Sequence, residues 1–473
     1  MTDSMTTMTT AAEPDGAPRV ASLDILRGLA ILGILFMNIN DMGASIWAFW
    51  AQDIRHLGWS QADQTAWMLR EILADGTARC LLEMLFGVGM VILTDRAAGA
   101  IAAAPPEGRA GRIVRRLFGP WPVLRSYAWR NIVLFALGLV HVFILLWPGD
   151  ILHTYGLAAL VAVLFRRLGP KTLLAIGLSM AILQFVGGGI GYLTVPGQRA
   201  EVARLEAAKA RGATLTKAQA TTLKKALDNR ARKEKAAAED RARIVAEDIA
   251  RRDATGSFAT WAAVAWSFFG YLQKQGLEIL FVWEAAATML IGAALYKWGV
   301  IQGARSRAFY AGMTLIGYAV GLSSRTVGAI DTMRFDGAPS IMWSLSEIAR
   351  LATTLGHVGL VHLLLATVIG TKLLRPFEAA GRTALTLYIA QTIICLWILY
   401  PPFALGLYGT QGWMALMLTA VAVNLLLLIA ANWYVRHFRI APVEWAWRSI
   451  VARRVLPFRK RPPLAAHGVP IAS

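Results

Sequence analysis

The feature that most constrains this chain is a repeated one. Ten mainly apolar stretches, at 23–42, 78–95, 126–147, 150–167, 171–194, 277–297, 308–324, 340–370, 382–400 and 412–434, succeed one another along the sequence. Each is near or above the ~17–25 residues that a helix needs to cross a bilayer. Hydrocarbon offers no partner for backbone N–H and C=O groups, so such a stretch has to satisfy them within itself, as a helix. Hydrophobic residues make up 56% of the chain and charged residues 16%, which is far from the profile of a soluble enzyme. The expectation is an all-α fold: a polytopic integral membrane helix bundle of about 10 transmembrane helices.

The net charge of +19 does not point to nucleic acid, because Lys and Arg gather in alternate connectors between the apolar stretches. The connector at 96–130 holds seven arginines against one glutamate, and the tail after 434 holds eight basic residues, whereas the turn at 148–150 and the loop at 401–411 hold none. The positive-inside rule then puts both the N- and C-termini in the cytoplasm and the 148–150 turn in the periplasm. Cys80 and Cys395 both fall inside apolar stretches, which argues against a disulfide framework.

Five regions follow from this pattern. Residues 1–20 read as a disordered cytoplasmic tail, without the layout of a removable signal peptide. Residues 21–198 hold helices one to five. Residues 199–256 are a periplasmic charged insertion rich in Ala, Lys, Arg and Glu, read as two solvated helices broken near Gly212, with a capping box at Thr216–Gln219. Residues 257–434 hold an interfacial helix (257–274) and helices six to ten, and residues 435–473 form a basic, amphipathic cytoplasmic tail. The Trp-rich segment 43–77 reads as a mixed loop at the membrane interface.

No Walker loop, dinucleotide fingerprint, CxxC or HExxH occurs, so nucleotide hydrolysis, redox chemistry and zinc proteolysis lose support, and no metal site or permanently bound cofactor is expected. The chemistry concentrates at 141–155, where an apolar stretch carrying His141 breaks at Trp147-Pro148-Gly149, presents Asp150 and restarts with His153 and Tyr155. Ionisable groups so close to hydrocarbon are costly and need a reason. A histidine beside a carboxylate is the minimal general base with an orienting partner, and the turn at Pro148-Gly149 allows Asp150 to fold back toward His141; a hydrogen-bonded packing histidine is the bland alternative. Glu347, Arg350, Thr354 and His357 recur on one face of the 340–370 stretch, as an inter-helix ion pair or as the lining of a cavity. Asn38, Asp41, Glu83, Trp147, Tyr155, Glu347, Tyr388 and Gln391 are the candidate substrate-binding residues.

The segments LDILRGLAILGILFMNIN, LVHVFILLWPGDILHTYGL, MLIGAALYKWGVI, GRTALTLYIAQTII and APVEWAWR, in that order, resemble the YeiB-like family of uncharacterised bacterial inner-membrane proteins, over nearly the whole chain apart from the tails and the insertion. That family is related to transmembrane acyltransferases. The resemblance implies multi-pass insertion in the inner membrane, acyl-CoA as a cytoplasmic co-substrate, and a glycan or lipid acceptor on the periplasmic side. On it, His141 and Asp150 would be the catalytic pair, and Arg27 of the LRG motif, with Arg125 and Arg130, would hold the acyl-CoA. The O-acyltransferase branch usually carries a histidine toward the end of helix one, where this chain has Asn38, which leaves the role of base to His141, with His56 a second candidate. A small-solute transporter and a membrane scaffold that binds a partner through the 199–256 arm are the competing expectations, and the oligomeric state is not legible.

Overall fold

The computed structural model describes residues 20–100, 121–253 and 257–460. The expectations for the N-terminal tail, for 101–120 of the basic connector and for 461–473 of the C-terminal tail lie outside the described residues. The described elements are helices: α1 (Ala21–Gly43), the short α2 (Ile46–Trp50), α3 (Gln61–Leu73), α4 (Thr77–Ala100), α5 (Trp121–Phe143), α6 (Leu152–Ala162, continued as a 3-10 turn to Phe165), α7 (Pro170–Gly177), α8 (Ser179–Ala210), α9 (Lys217–Arg252), α10 (Phe258–Lys274), α11 (Leu277–Lys297), α12 (Arg307–Met333), α13 (Met342–Leu365), α14 (Val368–Arg382), α15 (Ala384–Ile393, continued to Leu399), α16 (Trp413–His437) and α17 (Pro442–Ala452).

This is a helical membrane bundle. Among the described residues seven helical segments are long and apolar enough to cross a bilayer, and eight if α14 and α15, bent by 79° against each other, make one crossing. The difference from ten lies in two places. The stretch 150–167 yields only Leu152–Phe165, about 21 Å of helix against a hydrocarbon core of about 30 Å. The stretch 308–324 becomes part of α12, which runs on through Ser323, Ser324, Arg325, Thr326 and Asp331 and is too polar to count on composition alone.

Small residues let helices approach at the centre. A Cβ on Gly87 of α4 would stand 1.8 Å from the Met289 carbonyl oxygen, and one on Gly292 of α11 would stand 2.1 Å from that of Met84, so the two backbones touch. At one end of the bundle Gly28 of α1 sits equally close to Phe377 of α14. At the other end the Gly409 N–H donates to the Gly43 carbonyl at 2.8 Å, joining the end of α1 to the loop before α16.

Two regions depart from their expected form. Segment 43–77 is not a plain loop: Ser60 and Asp63 build a capping box that starts α3, and α3 dips back among the helices until the Arg70 guanidinium reaches the Phe36 carbonyl. The 199–253 insertion forms the expected two helices, with the Thr216–Gln219 box in place and Gly212 at φ +77°, but it is not solvated throughout. Its tip, tied by Arg230 to Glu206, is exposed, while the last turns of α9 return to the bundle with Ile244, Glu247 and Arg251 buried. Glu247 accepts hydrogen bonds from the Ser45 hydroxyl and the Trp47 N–H, Asp248 meets His56 at 3.0 Å, and the Arg251 guanidinium lies over Trp261. The end of the bundle that carries this docked arm is its arm face.

Candidate functional site

His141 is in the last turn of α5. The chain leaves that helix through Leu146, a non-glycine residue held at φ +63° by its own burial and that of Trp147, a strained conformation that persists only where the surroundings enforce it. The turn delivers Asp150 to the start of α6. There its Oδ1 accepts from His141 Nδ1 at 2.6 Å, and its Oδ2 accepts from the His153 backbone N–H and from His153 Nδ1, both at 2.9 Å. Gly138, one turn before His141, makes this possible: a Cβ there would lie 2.2 Å from the His153 nitrogen and 2.7 Å from Asp150 Oδ2.

With Nδ1–H committed to a carboxylate, a neutral His141 turns an acceptor Nε2 the other way, and Thr392 of α15 places its hydroxyl 2.8 Å from it. His153 faces carboxylates on both ring nitrogens, Asp150 on one side and Glu278 at 3.3 Å on the other, an arrangement in which a doubly protonated imidazolium donates to both. Thr154 also donates to Glu278. Tyr388 closes the site, its ring edge-on to His141 and its hydroxyl accepting from the Ile151 N–H. The side chains of His141 and Asp150 have 0% of their surface exposed.

A second constellation adjoins this one through α6. The Tyr155 hydroxyl donates to the Arg79 carbonyl, and Arg79 meets Glu284 at 2.7 Å. Arg350 sits between Glu83 (3.1 Å), Glu284 (2.8 Å) and Glu347 (2.8 Å) and also donates to Thr288. Arg350 and Glu83 are buried, so each charge is stable only because the others face it.

The remaining candidates scatter. Gln391 faces away from His141 and donates to the Ile31 carbonyl and to Asn424, tying α15 to α1 and α16. Trp147 packs over Gly149. Asn38 is half-buried on α1, while its neighbour Asn40 is buried and donates to Asp41 at the arm face. His357 spans Tyr318 and the Leu73 carbonyl as a packing histidine. At the opposite face Arg27 pairs with Asp24 at 2.7 Å, Arg130 stacks on Trp447 at 4.0 Å, and Arg125 is exposed; Arg27 and Arg448 each lie near enough to Arg130 for their charges to act on it. Thr392, Glu278, Arg70 and Arg79 were not among the expected site residues. Thr392 comes from 251 positions away, and arginines at the edges of apolar stretches read as interfacial anchors.

A family profile described as "Protein of unknown function (DUF418)" matches residues 295–454. The uncharacterized protein YxaH of Bacillus subtilis (strain 168) is 28% identical over 94% of this chain and 96% of its own length. The uncharacterized protein YeiB of Escherichia coli (strain K12) is 25% identical over 93% of this chain and 98% of its own. The chain is YeiB-like. The profile region contains Arg350, Tyr388 and Thr392, and the full-length similarity extends across His141 and Asp150. No solved structure matches this YeiB-like chain.

Proposed function

We propose that this YeiB-like protein is an inner-membrane acyltransferase with ten crossings, α6 and α12 included, both termini in the cytoplasm and the arm in the periplasm. It would pass an acyl group from cytoplasmic acyl-CoA to a hydroxyl or amine of a periplasmic glycan or lipid. The observation that carries this reading is the series Thr392 hydroxyl, His141 imidazole, Asp150 carboxylate, in which a base of fixed tautomer already faces a hydroxyl. An acceptor hydroxyl in the position of Thr392 Oγ1 would give its proton to Nε2 as its oxygen bonds to the thioester carbonyl carbon. The C–S bond then breaks and His141 returns the proton to the departing thiolate, while Asp150 holds the imidazolium. The phosphates of acyl-CoA suit Arg130 with the charges of Arg27 and Arg448 near it. Since the pair is sealed, substrate reaches it only when α5, α6 and α15 part.

Purified protein is expected to consume acetyl-CoA only when an acceptor is supplied. His141→Ala and Asp150→Asn should each slow this by about 10²–10⁴-fold, the usual range for general acid–base catalysis. Equal turnover in wild type and His141→Ala removes the assignment. The buried ionic group around Arg350 favours a second reading, movement of a small solute through the bundle, since charges within a membrane commonly mark a pathway.

A further inference from the structure

The arm face holds a cavity that none of this chemistry uses. It measures about 470 Å³, within the ~300–1,000 Å³ of small-molecule sites, and is lined by the end of α1, α2 with the loop that follows it, and α3. Its walls are aromatic: Trp50, Trp67 and Trp413 line it. Its ionisable lining is mostly acidic. Arg70 is buried at the base, but its charge is already engaged by Glu71 at 3.2 Å and Asp75 at 2.8 Å, both of which keep about a third of their side-chain surface exposed. Asp53 adds a further carboxylate to the lining, and Asp41 lies behind Asn40. His56, the other basic residue at the rim, is paired with Asp248.

Asn40 gives an independent indication. It lines the cavity and is only 4% exposed, and its carboxamide nitrogen donates to the Asp41 carboxylate. Oδ1 is left as a buried acceptor without a donor. Arg325 also reaches the Glu71 and Asp75 backbone carbonyls, which leaves Asp53 as the carboxylate of the lining with no arginine against it; that carboxylate, the lone acceptor and the tryptophan faces together suit a positively charged N–H group.

We infer that this cavity is a binding site for a small organic cation bearing an ammonium group. The ammonium donates to Asn40 and the neighbouring carboxylates while its alkyl part lies against the tryptophans. The site is separate from the His141 pair, and its occupancy does not depend on acyl transfer.

The test is calorimetric titration of the full-length protein in neutral maltoside micelles with three molecules of one length: cadaverine, 1,5-pentanediol and glutarate. Saturable heat with cadaverine alone is expected. Asn40→Leu, and separately the double change Glu71→Gln with Asp75→Asn, should weaken it at least about tenfold, the loss of one charge-assisted hydrogen bond. Thermal unfolding establishes that each variant is folded; where Asn40→Leu or the double variant, which strips buried Arg70 of its partners, is not, Asp53→Asn at an exposed position of the lining decides, with a loss of affinity expected and an unchanged affinity overturning the inference. Added phosphatidylethanolamine that competes with cadaverine identifies a lipid headgroup as the source of the ammonium, and absence of competition identifies a free amine. No saturable binding of cadaverine, equal binding of the diol or diacid, or unchanged affinity in a folded double variant overturns the inference.

Discussion

At the scale of single residues, the site depends on what is missing at Gly138. Any side chain there meets the His153 nitrogen and Asp150 Oδ2 at 2.2 and 2.7 Å, so the start of α6 would be pushed off α5 and the 2.6 Å His141–Asp150 contact broken. Gly138→Ala is therefore expected to cost about 1–3 kcal/mol of stability and to suppress acceptor-dependent acyl-CoA consumption in the fraction that folds; a variant with wild-type melting and turnover speaks against this geometry. The His141–Asp150 pair was legible in the sequence because nine residues and a Pro-Gly turn keep the contact local. His153 looked secondary, since nothing in the sequence says that both oxygens of Asp150 are used. Thr392 was illegible as a partner, because a threonine in an apolar helix ordinarily bonds back to its own helix and only the fold brings it across to α5.

Among the elements, the arm is the one whose sequence and structure tell different stories. Its composition is that of a solvated helix, and that describes the tip; the docked end is held by a few residues, Ile244, Glu247, Asp248 and Arg251, too sparse to show as a periodic seam. Docking should depend on pH. The Asp248 carboxylate, which lies 3.0 Å from His56 Nε2 and accepts its proton, outweighs burial and raises His56 from its ordinary 6.5. Burial pushes Asp248 up, but the His56 hydrogen bond and charge and the nearby Arg252 outweigh it and bring the carboxyl below 3.8. The raised histidine contributes stability that is complete below 6.5 and is lost as pH rises through its folded value, and the lowered carboxyl contributes stability above 3.8 that is lost as pH falls through its own. Hydrogen exchange in the last turns of α9, corrected for the intrinsic rate, should be slower at about pH 6 than at about pH 8.5, and His56→Ala should remove the difference. Equal protection at the two pH values in the wild type contradicts this coupling.

For the molecule as a whole, an all-helical membrane bundle was legible because hydrocarbon permits little else, whereas the number of crossings was not. Residues 152–165 and α12 are ambiguous in length or polarity, and their role depends on neighbours that cover polar groups, as the Glu71 and Asp75 backbone carbonyls do for Arg325 of α12. The proposed orientation makes a direct prediction. With Cys80 and Cys395 buried, a cysteine placed by Lys224→Cys on the arm should react with an impermeant maleimide in intact cells, and one placed by Arg453→Cys should react only after permeabilisation; the reverse pattern inverts the topology. Acyl transfer across the bilayer requires that orientation as well as the His141–Asp150 pair. The most direct measurement uses proteoliposomes that hold labelled acetyl-CoA on the Arg27 side and a glycan or lipid acceptor on the arm side. Label should appear on the acceptor with wild-type protein and be lost with folded His141→Ala, whereas no transfer by the wild type, or equal transfer by both, would contradict a His141-based acyltransferase.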